Sequence, residues 1–273
     1  MNIKNLKTLS KNFKKKIIDI SFQKKTHHIG SCLSSLDILI ILFFSFMTYQ
    51  KVNRSKNDFF ILSKGHAALV YYLILSEKKF FSKKYLLQNF IVDGGTLGGH
   101  PDLNNNLGIN YCSGSLGHGI SVGCGVALSY LKDKKRNKVI VLMGDGECNE
   151  GSVWESFLFA SHQNLKNLFV IIDYNNLQGL GTTKDTLNLF SLKKKIQSFN
   201  WNVLEVDGHD LNAINGSLKR LNSFQNKPNC LIAKTIKGKG VSFMENKLDS
   251  HYLVLDEEKY KKSLIEIQSI NIL

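Results

Sequence analysis

Two uninterrupted apolar runs constrain this chain most: Val139-Ile140-Val141-Leu142-Met143 and Leu168-Phe169-Val170-Ile171-Ile172. Five consecutive apolar residues leave no face for water. Each run therefore predicts a strand buried on both sides, as in a parallel sheet covered by helices. Residues 151–163, between the runs, read as a helix, and strand, helix, strand over a few dozen residues is a βαβ unit. Further strands are expected over residues 59–62, 202–206 and 230–235, with helices over 67–76, 123–131 and about 210–224. In residues 1–24, Ile3, Leu6, Leu9, Phe13, Ile17 and Ile20 recur at helical spacing among lysines, which predicts an amphipathic helix packed on a larger body. Ser34 and Ser35 are suited to cap the next helix, which carries an apolar run over residues 38–47. That run is short of the roughly 20 residues a membrane span needs, so it reads as a core helix with no membrane role. With two prolines and no repeat or low-complexity linker, residues 1–273 are expected to form a single α/β domain. Its sheet should be doubly wound and mostly parallel, with helices on both faces.

The formal net charge is +14, which raises the question of nucleic acid. The lysines are dispersed, as in Lys14-Lys15-Lys16 and Lys193-Lys194-Lys195, and no RNP-like aromatic motif or zinc-finger spacing accompanies them. The expectation is a solvated basic surface and no nucleic-acid partner. The five cysteines, Cys32, Cys112, Cys124, Cys148 and Cys230, show no CxxC spacing. They read as packing residues rather than a disulfide framework or zinc site. Lysine recurs through the first sixteen residues without an apolar core, so no signal peptide is expected and the cytoplasm is the expected location.

Chemistry is expected at the carboxyl ends of the two buried strands. The first ends in Gly144-Asp145-Gly146-Glu147 and the second in Asp173-Tyr174-Asn175-Asn176. Ligands of open α/β sheets bind where strands give way to helices. An Asp and an Asn offer hard oxygens suited to Mg2+ held together with phosphates. Glycines beside the Asp let a diphosphate approach backbone amides, and the following helix N-terminus favours negative charge. Upstream, Gly94, Gly95, Gly98, Gly99, Gly108, Gly114 and Gly117 mark backbone that turns tightly or approaches a ligand.

GDG followed by NN after a second apolar strand resembles the fingerprint of thiamine-diphosphate enzymes. From about residue 13 to 265 the chain resembles transketolases in particular. His28-Ile29-Gly30 with Ser34 through Leu39 is similar to their N-terminal GHxG…DIL segment. Ser63-Lys64-Gly65-His66 resembles the SKGH loop and Gly99-His100-Pro101 the GHP element. Gly114-Ser115-Leu116-Gly117 resembles GSLGxG, although His118 stands where Gln is common. Residues 144–154 (GDGECNEGSVW) resemble the diphosphate loop, and residues 234–240 (KTIKGKG) the late KTxKGKG turn.

The resemblance implies a role for each matched residue. Asp145, Asn175 and the carbonyl of Leu177 become Mg2+ ligands. The Gly146 amide, His66 and His251 contact the diphosphate, and Asn175 serves the cofactor as well as the metal. Gly114 and Leu116 touch the aminopyrimidine, and Glu150 lies at a subunit interface near the cofactor. His28 and His100, with His251, serve catalysis by holding substrate hydroxyls and moving protons. His27 stands beside His28 where the family has a small residue, so the pair offers two candidates for that place. His209, in Asp207-Gly208-His209-Asp210, is expected to be structural.

The implied reaction is transfer of a two-carbon ketol unit from a ketose or its phosphate to an aldose acceptor. None of the motifs of the family's pyrimidine-binding domain occurs here. A separate C-terminal subunit carrying that domain is therefore the expected partner, in a heterotetramer. The alternatives are a transketolase-like subunit for modified or nucleotide-linked sugars and a non-catalytic binding homologue.

Overall fold

The computed structural model describes residues 2–224 and 226–271. Met1 of the expected first helix, together with Gln225 and the last two residues of the expected 1–273 domain, lies outside them. In chain order the elements are α1 (Ile3–Lys24), α2 (Ile29–Ile41), β1 (Phe59–Leu62), α3 (Ala68–Glu77), α4 (Lys83–Asn89), α5 (Gly119–Lys132), β2 (Val139–Gly144), α6 (Gly151–His162), β3 (Leu168–Tyr174), α7 (Thr183–Thr186), α8 (Leu192–Ser198), β4 (Asn202–Asp207), α9 (Leu211–Ser223), β5 (Asn229–Lys234) and α10 (Glu257–Ser269). The five strands form one sheet in the order β1-β2-β3-β5-β4, every pair parallel.

The alternation of strand side chains divides the apolar core in two. Phe60, Leu62, Ile140, Leu142, Phe169, Ile171, Leu231 and Ala233 face the layer built by α1, α2, α3, α9 and α10. Ile61, Val139, Val141, Met143, Leu168, Val170, Ile172 and Ile232 face α5, α6 and α8. Burial on both faces is the physical reason the β2 and β3 sequences contain no polar residue until their ends.

Register then sets the site. Gly144 pairs with Asp173, and Tyr174 with Lys234, so the ends of β2, β3 and β5 are level. β1 stops beside Leu142, where Ser63 N–H still donates to the Leu142 carbonyl at 2.8 Å, and the chain then turns, with Gly65 N–H donating to the Ser63 carbonyl at 2.9 Å.

Ser34 and Ser35 do not cap α2. The helix starts earlier, directly after His28, whose backbone is left-handed (φ 64°) and offers no side-chain cap. Both serines are buried inside α2, where Ser34 Oγ donates to Asp173 Oδ2 at 2.6 Å. With the π-helical turn that follows it, α2 forms an apolar stretch over Ile29–Phe46 long enough to cross a membrane, and 83% of it is buried inside the fold. It is the central core helix. α5 begins at Gly119, ahead of the expected start at residue 123. α4, α7, α8 and α10 go beyond the helices expected from the sequence; α10 lies against α1, with Phe22 stacked on Tyr260 at 4.2 Å. Cys32, Cys124, Cys148 and Cys230 are buried packing residues, whereas Cys112 is exposed beside Asp102.

Candidate active site

A cavity of about 610 Å³ opens at the carboxyl ends of β1, β2, β3 and β5. Apart from His27, every candidate site residue named from the sequence lines it: His28, His66, His100, Gly114, Leu116, Asp145, Gly146, Glu150, Asn175, Leu177 and His251. They come from separate loops spread along most of the chain, and the level strand ends bring them together.

Four histidines gather on one wall. Ring centroids are 4.8 Å apart for His28 and His251, 5.4 Å for His28 and His66, 5.7 Å for His66 and His251, and 6.3 Å for His28 and His100. The left-handed turn at His28 aims its ring into the cavity, and its N–H donates to the His251 carbonyl at 3.0 Å. His27 points away, with Nδ1 2.8 Å from the Tyr252 carbonyl, so His28 is the member of the pair that faces the cavity. Burial, reinforced by the charge of neighbouring His100, pushes His28 down to about 4. Burial and Lys237 push His251 down to about 3. Burial and Lys64 push His66 down as well. At neutral pH the rings of His28, His66 and His251 are uncharged, each with one N–H that can donate a hydrogen bond and one nitrogen that can accept one.

Beneath the histidines lie two lysines that sequence reasoning passed over. Lys64, from the loop after β1, is fully buried and ion-paired with Asp173 at the end of β3. Asp173 also accepts from Ser34 and Thr235. Burial disfavours its charge, but Lys64 and these hydrogen bonds outweigh that and hold it below the usual carboxylate range. Lys237 is buried too, and its Nζ donates to His251 Nδ1 at 2.7 Å. Burial lowers Lys237 to about 8, with the charge of Lys64 adding to the effect. An ammonium can only donate, so His251 Nδ1 accepts and Nε2 carries that ring's proton. Both lysines stand inside the matched SKGH and KGKG segments, yet only the fold reveals that they are buried.

The acidic end of the cavity is built by Asp145. Its Oδ1 accepts from Gly146 N at 2.9 Å and its Oδ2 from Asn176 N at 2.6 Å. Burial, and then the charge of Asp173, raise it to about 7. A carboxylate so disfavoured calls for a cation. Asn175, whose Oδ1 accepts from Leu177 N at 3.1 Å, offers a second oxygen, and the Leu177 carbonyl can supply a third. Among the described residues no group of three or more His, Cys, Asp or Glu side chains is arranged to hold a metal. A set of one carboxylate, one amide and one carbonyl fits a hard cation that completes its shell with phosphate oxygens and water. Buried polar atoms left without partners among the described residues, His28 Nδ1, Asn149 Oδ1 and Gln178 Nε2, line the same space. The positions a side chain would take at Gly114 and Gly144 are open, leaving bare backbone toward the cavity. The donors, cations and open glycines fit a diphosphate together with a divalent cation.

Two further histidines of the matched segments stand outside the cavity. His209 is structural: it bridges Asp37, with Nδ1 to Oδ2 at 2.9 Å, and accepts from Ile236 N at 2.9 Å, locking α2 to the turn after β5. His118 is exposed at the start of α5, with its Nδ1 2.9 Å from the Leu116 carbonyl.

A parallel α/β sheet with a cavity at its strand ends, lined by residues that fit a diphosphate and a cation, has the form of a cofactor-binding domain. The chain belongs to the transketolase family: residues 7–267 match the family model for the transketolase thiamine diphosphate binding domain. It is 37% identical over 271 residues to an apulose-4-phosphate transketolase subunit of Phocaeicola vulgatus, covering 98% of this chain and 95% of that one. It is 36% identical over 243 residues to a 6-deoxy-6-sulfo-D-fructose transketolase subunit of a Clostridium species, covering 88% of each. Human transketolase is 35% identical over 246 residues, 89% of this chain but 38% of its own length. The crystal structure of Campylobacter jejuni transketolase superposes with a TM-score of 0.89 at 28% identity, covering 100% of this chain and 44% of that one. The chain thus spans nearly the whole of the named subunits but less than half of the longer transketolases.

Proposed function

We propose that the chain is the diphosphate-binding subunit of a two-chain transketolase. It transfers a two-carbon ketol unit from a ketose or ketose phosphate to an aldose acceptor, with thiamine diphosphate and Mg2+ bound and a second subunit carrying the pyrimidine-binding domain. One observation carries this reading: every family-matched site residue lines one cavity. The names of the two relatives of similar length, each called a transketolase subunit, support the division into two chains. Five unpaired cysteines accord with a cytoplasmic enzyme.

Bound thiamine diphosphate supplies the electron sink for cleaving a carbon–carbon bond beside a carbonyl. This chain's residues do the rest. Asp145, Asn175 and the Leu177 carbonyl hold Mg2+. Lys237, His66, His251 and Gln178 surround the diphosphate, while Gly114 and Leu116 present backbone and apolar surface to the pyrimidine. The neutral ring of His28, together with His100, holds substrate hydroxyls and moves protons to and from the substrate oxygen. Glu150, exposed at the cavity mouth, reaches toward the partner.

The test is gentle purification from the native source, identification of the stoichiometric companion by mass spectrometry, and assay of the pair on ketose and aldose phosphates. A companion with a pyrimidine-binding domain, and turnover by the pair but not by the chain alone, is the expected result. Turnover by the chain alone would overturn the two-chain reading. A second reading is favoured by the sugars in the relatives' names, apulose 4-phosphate and 6-deoxy-6-sulfo-D-fructose. It is transfer on modified sugars of that kind, and comparison of acceptors separates the two.

A further inference from the structure

We infer that Glu147 is a positioning residue that fixes both backbone segments framing the cofactor cavity. The inference rests on the cofactor reading above. Glu147 follows Asp145 by two positions and borders the same cavity, but its side chain is buried among the surrounding backbone. Among the described residues its carboxylate has no cationic partner in hydrogen-bond contact. Instead it accepts from three donors, two on separate loops and one at the end of β2. Oε1 takes Ser63 Oγ–H, from the loop after β1, and Gly117 N–H, from the glycine-rich loop before α5, the latter at 3.0 Å. Oε2 takes Gly144 N–H, at the end of β2, at 2.8 Å.

The two amides matter because of what they carry. Gly117 N–H belongs to the peptide that joins it to Leu116, so the bond sets the direction of the Leu116 carbonyl and of the Gly114–Leu116 segment lining the cavity. Gly144 N–H belongs to the peptide entering the Asp145 loop. Gly117 is held from its other side as well, since its carbonyl accepts from Ser152 Oγ at 3.0 Å. Its φ of +78° is left-handed, and a Cβ there would lie 2.5 Å from Glu150 Cβ. The loop is thus wedged against Glu150 and tied down by Glu147.

Three donors converging on two oxygens require a carboxylate. A glutamine in the same place offers one acceptor oxygen and turns its NH2 against an N–H or O–H donor. The shape is kept, but one segment is left unsatisfied.

The experiment compares wild type with Glu147→Gln and Ser63→Ala, using the full chain and its copurified complex. Amide hydrogen exchange is followed in peptides covering residues 113–119 and 142–148, and calorimetry measures affinity for thiamine diphosphate in Mg2+. For Glu147→Gln we expect exchange faster in at least one of the two segments, the one that faces the NH2, and unchanged in α9. Cofactor affinity should fall at least about 10-fold, the cost of a hydrogen bond to a charged group. In the complex, the apparent KM for cofactor rises while kcat at saturating cofactor is kept. Unchanged exchange at Gly117 and Gly144, or a lower melting temperature with unchanged affinity, would overturn the inference and leave Glu147 a packing residue. Should Glu147→Gln fail to fold, Ser63→Ala decides: it removes one of the three bonds, and exchange at residues 113–119 must quicken for the inference to stand. Wild type that binds no cofactor would instead refute the cofactor reading, a separate outcome.

Discussion

The ammonium of Lys237 stands 2.7 Å from Nδ1 of His251, so a buried cation and a neutral imidazole share one wall of the cavity. No carboxylate is hydrogen-bonded to this lysine among the described residues. An anionic ligand is what such a group lacks, and a diphosphate supplies it. Lys237→Met is expected to weaken thiamine diphosphate binding about 10- to 100-fold, the range for charged hydrogen bonds, as read by calorimetry. It should also let the His251 ring titrate at higher pH, visible by NMR, because the charge that helps to depress it is gone. Unchanged affinity would remove Lys237 from the diphosphate's partners.

Lys64 and Asp173 form an ion pair with essentially no solvent exposure. Removing one partner strands the other charge in the core, so Lys64→Met is expected to cost about 3–5 kcal/mol. The double variant Lys64→Met with Asp173→Asn should recover a large part of that loss. Urea unfolding of the three proteins measures both terms, and a double variant no better than the single would show that the pair's hydrogen bonds, not its charges, hold the floor of the site.

The exposed apolar surface on α5 and α6 bears on the partner. Leu158 is 61% exposed and Phe159 42% on α6, with Val122 at 40% on the neighbouring α5. Under the two-chain reading this face is covered. Leu158→Glu together with Phe159→Ser is expected to abolish copurification of the second subunit. The chain's own melting temperature should hardly move, since exposed substitutions cost within about 0.5 kcal/mol. Retained association would put the interface elsewhere.

The sheet was legible because β2 and β3 are buried on both faces, which writes them as continuous apolar runs. The position of the site followed, since Gly144 and Asp173 sit at the ends of those runs and the register makes them neighbours. The start of α2 was not legible. Nothing in the sequence says that His28 takes a left-handed backbone, and the serines that look like caps are spent on Asp173 and on the helix's own carbonyls. α10 was missed because only part of it is buried, against α1. Lys64, Lys237 and Glu147 were missed for a common reason. A charged residue in a glycine-rich motif reads as solvated, and only the packing of loops far apart in sequence shows it to be buried.

Acidification offers a test of the histidine wall. The folded-state values of His28 and His251, about 4 and about 3, lie below the ordinary 6.5. From pH 6.5 downward the unfolded chain binds protons that the folded chain refuses, so stability falls as pH drops through that window and is untouched above it. Asp145 works in the opposite sense. Raised to about 7, it keeps a proton in the folded state that the unfolded chain has lost, so its contribution fades as pH rises toward 7. The net slope of the metal-free protein mixes the two effects, and a single substitution separates them. His28→Asn removes one depressed ring and leaves Asp145 in place. The variant is expected to lose less stability than wild type between about pH 6.5 and 4, with the effect trimmed by solvent screening because His28 is only partly buried. Urea midpoints of both proteins across that range, without metal or cofactor, measure the difference. Parallel declines would mean that His28 protonates in the folded chain as readily as in the unfolded one, and the neutral proton-shuttling role assigned to it would fall.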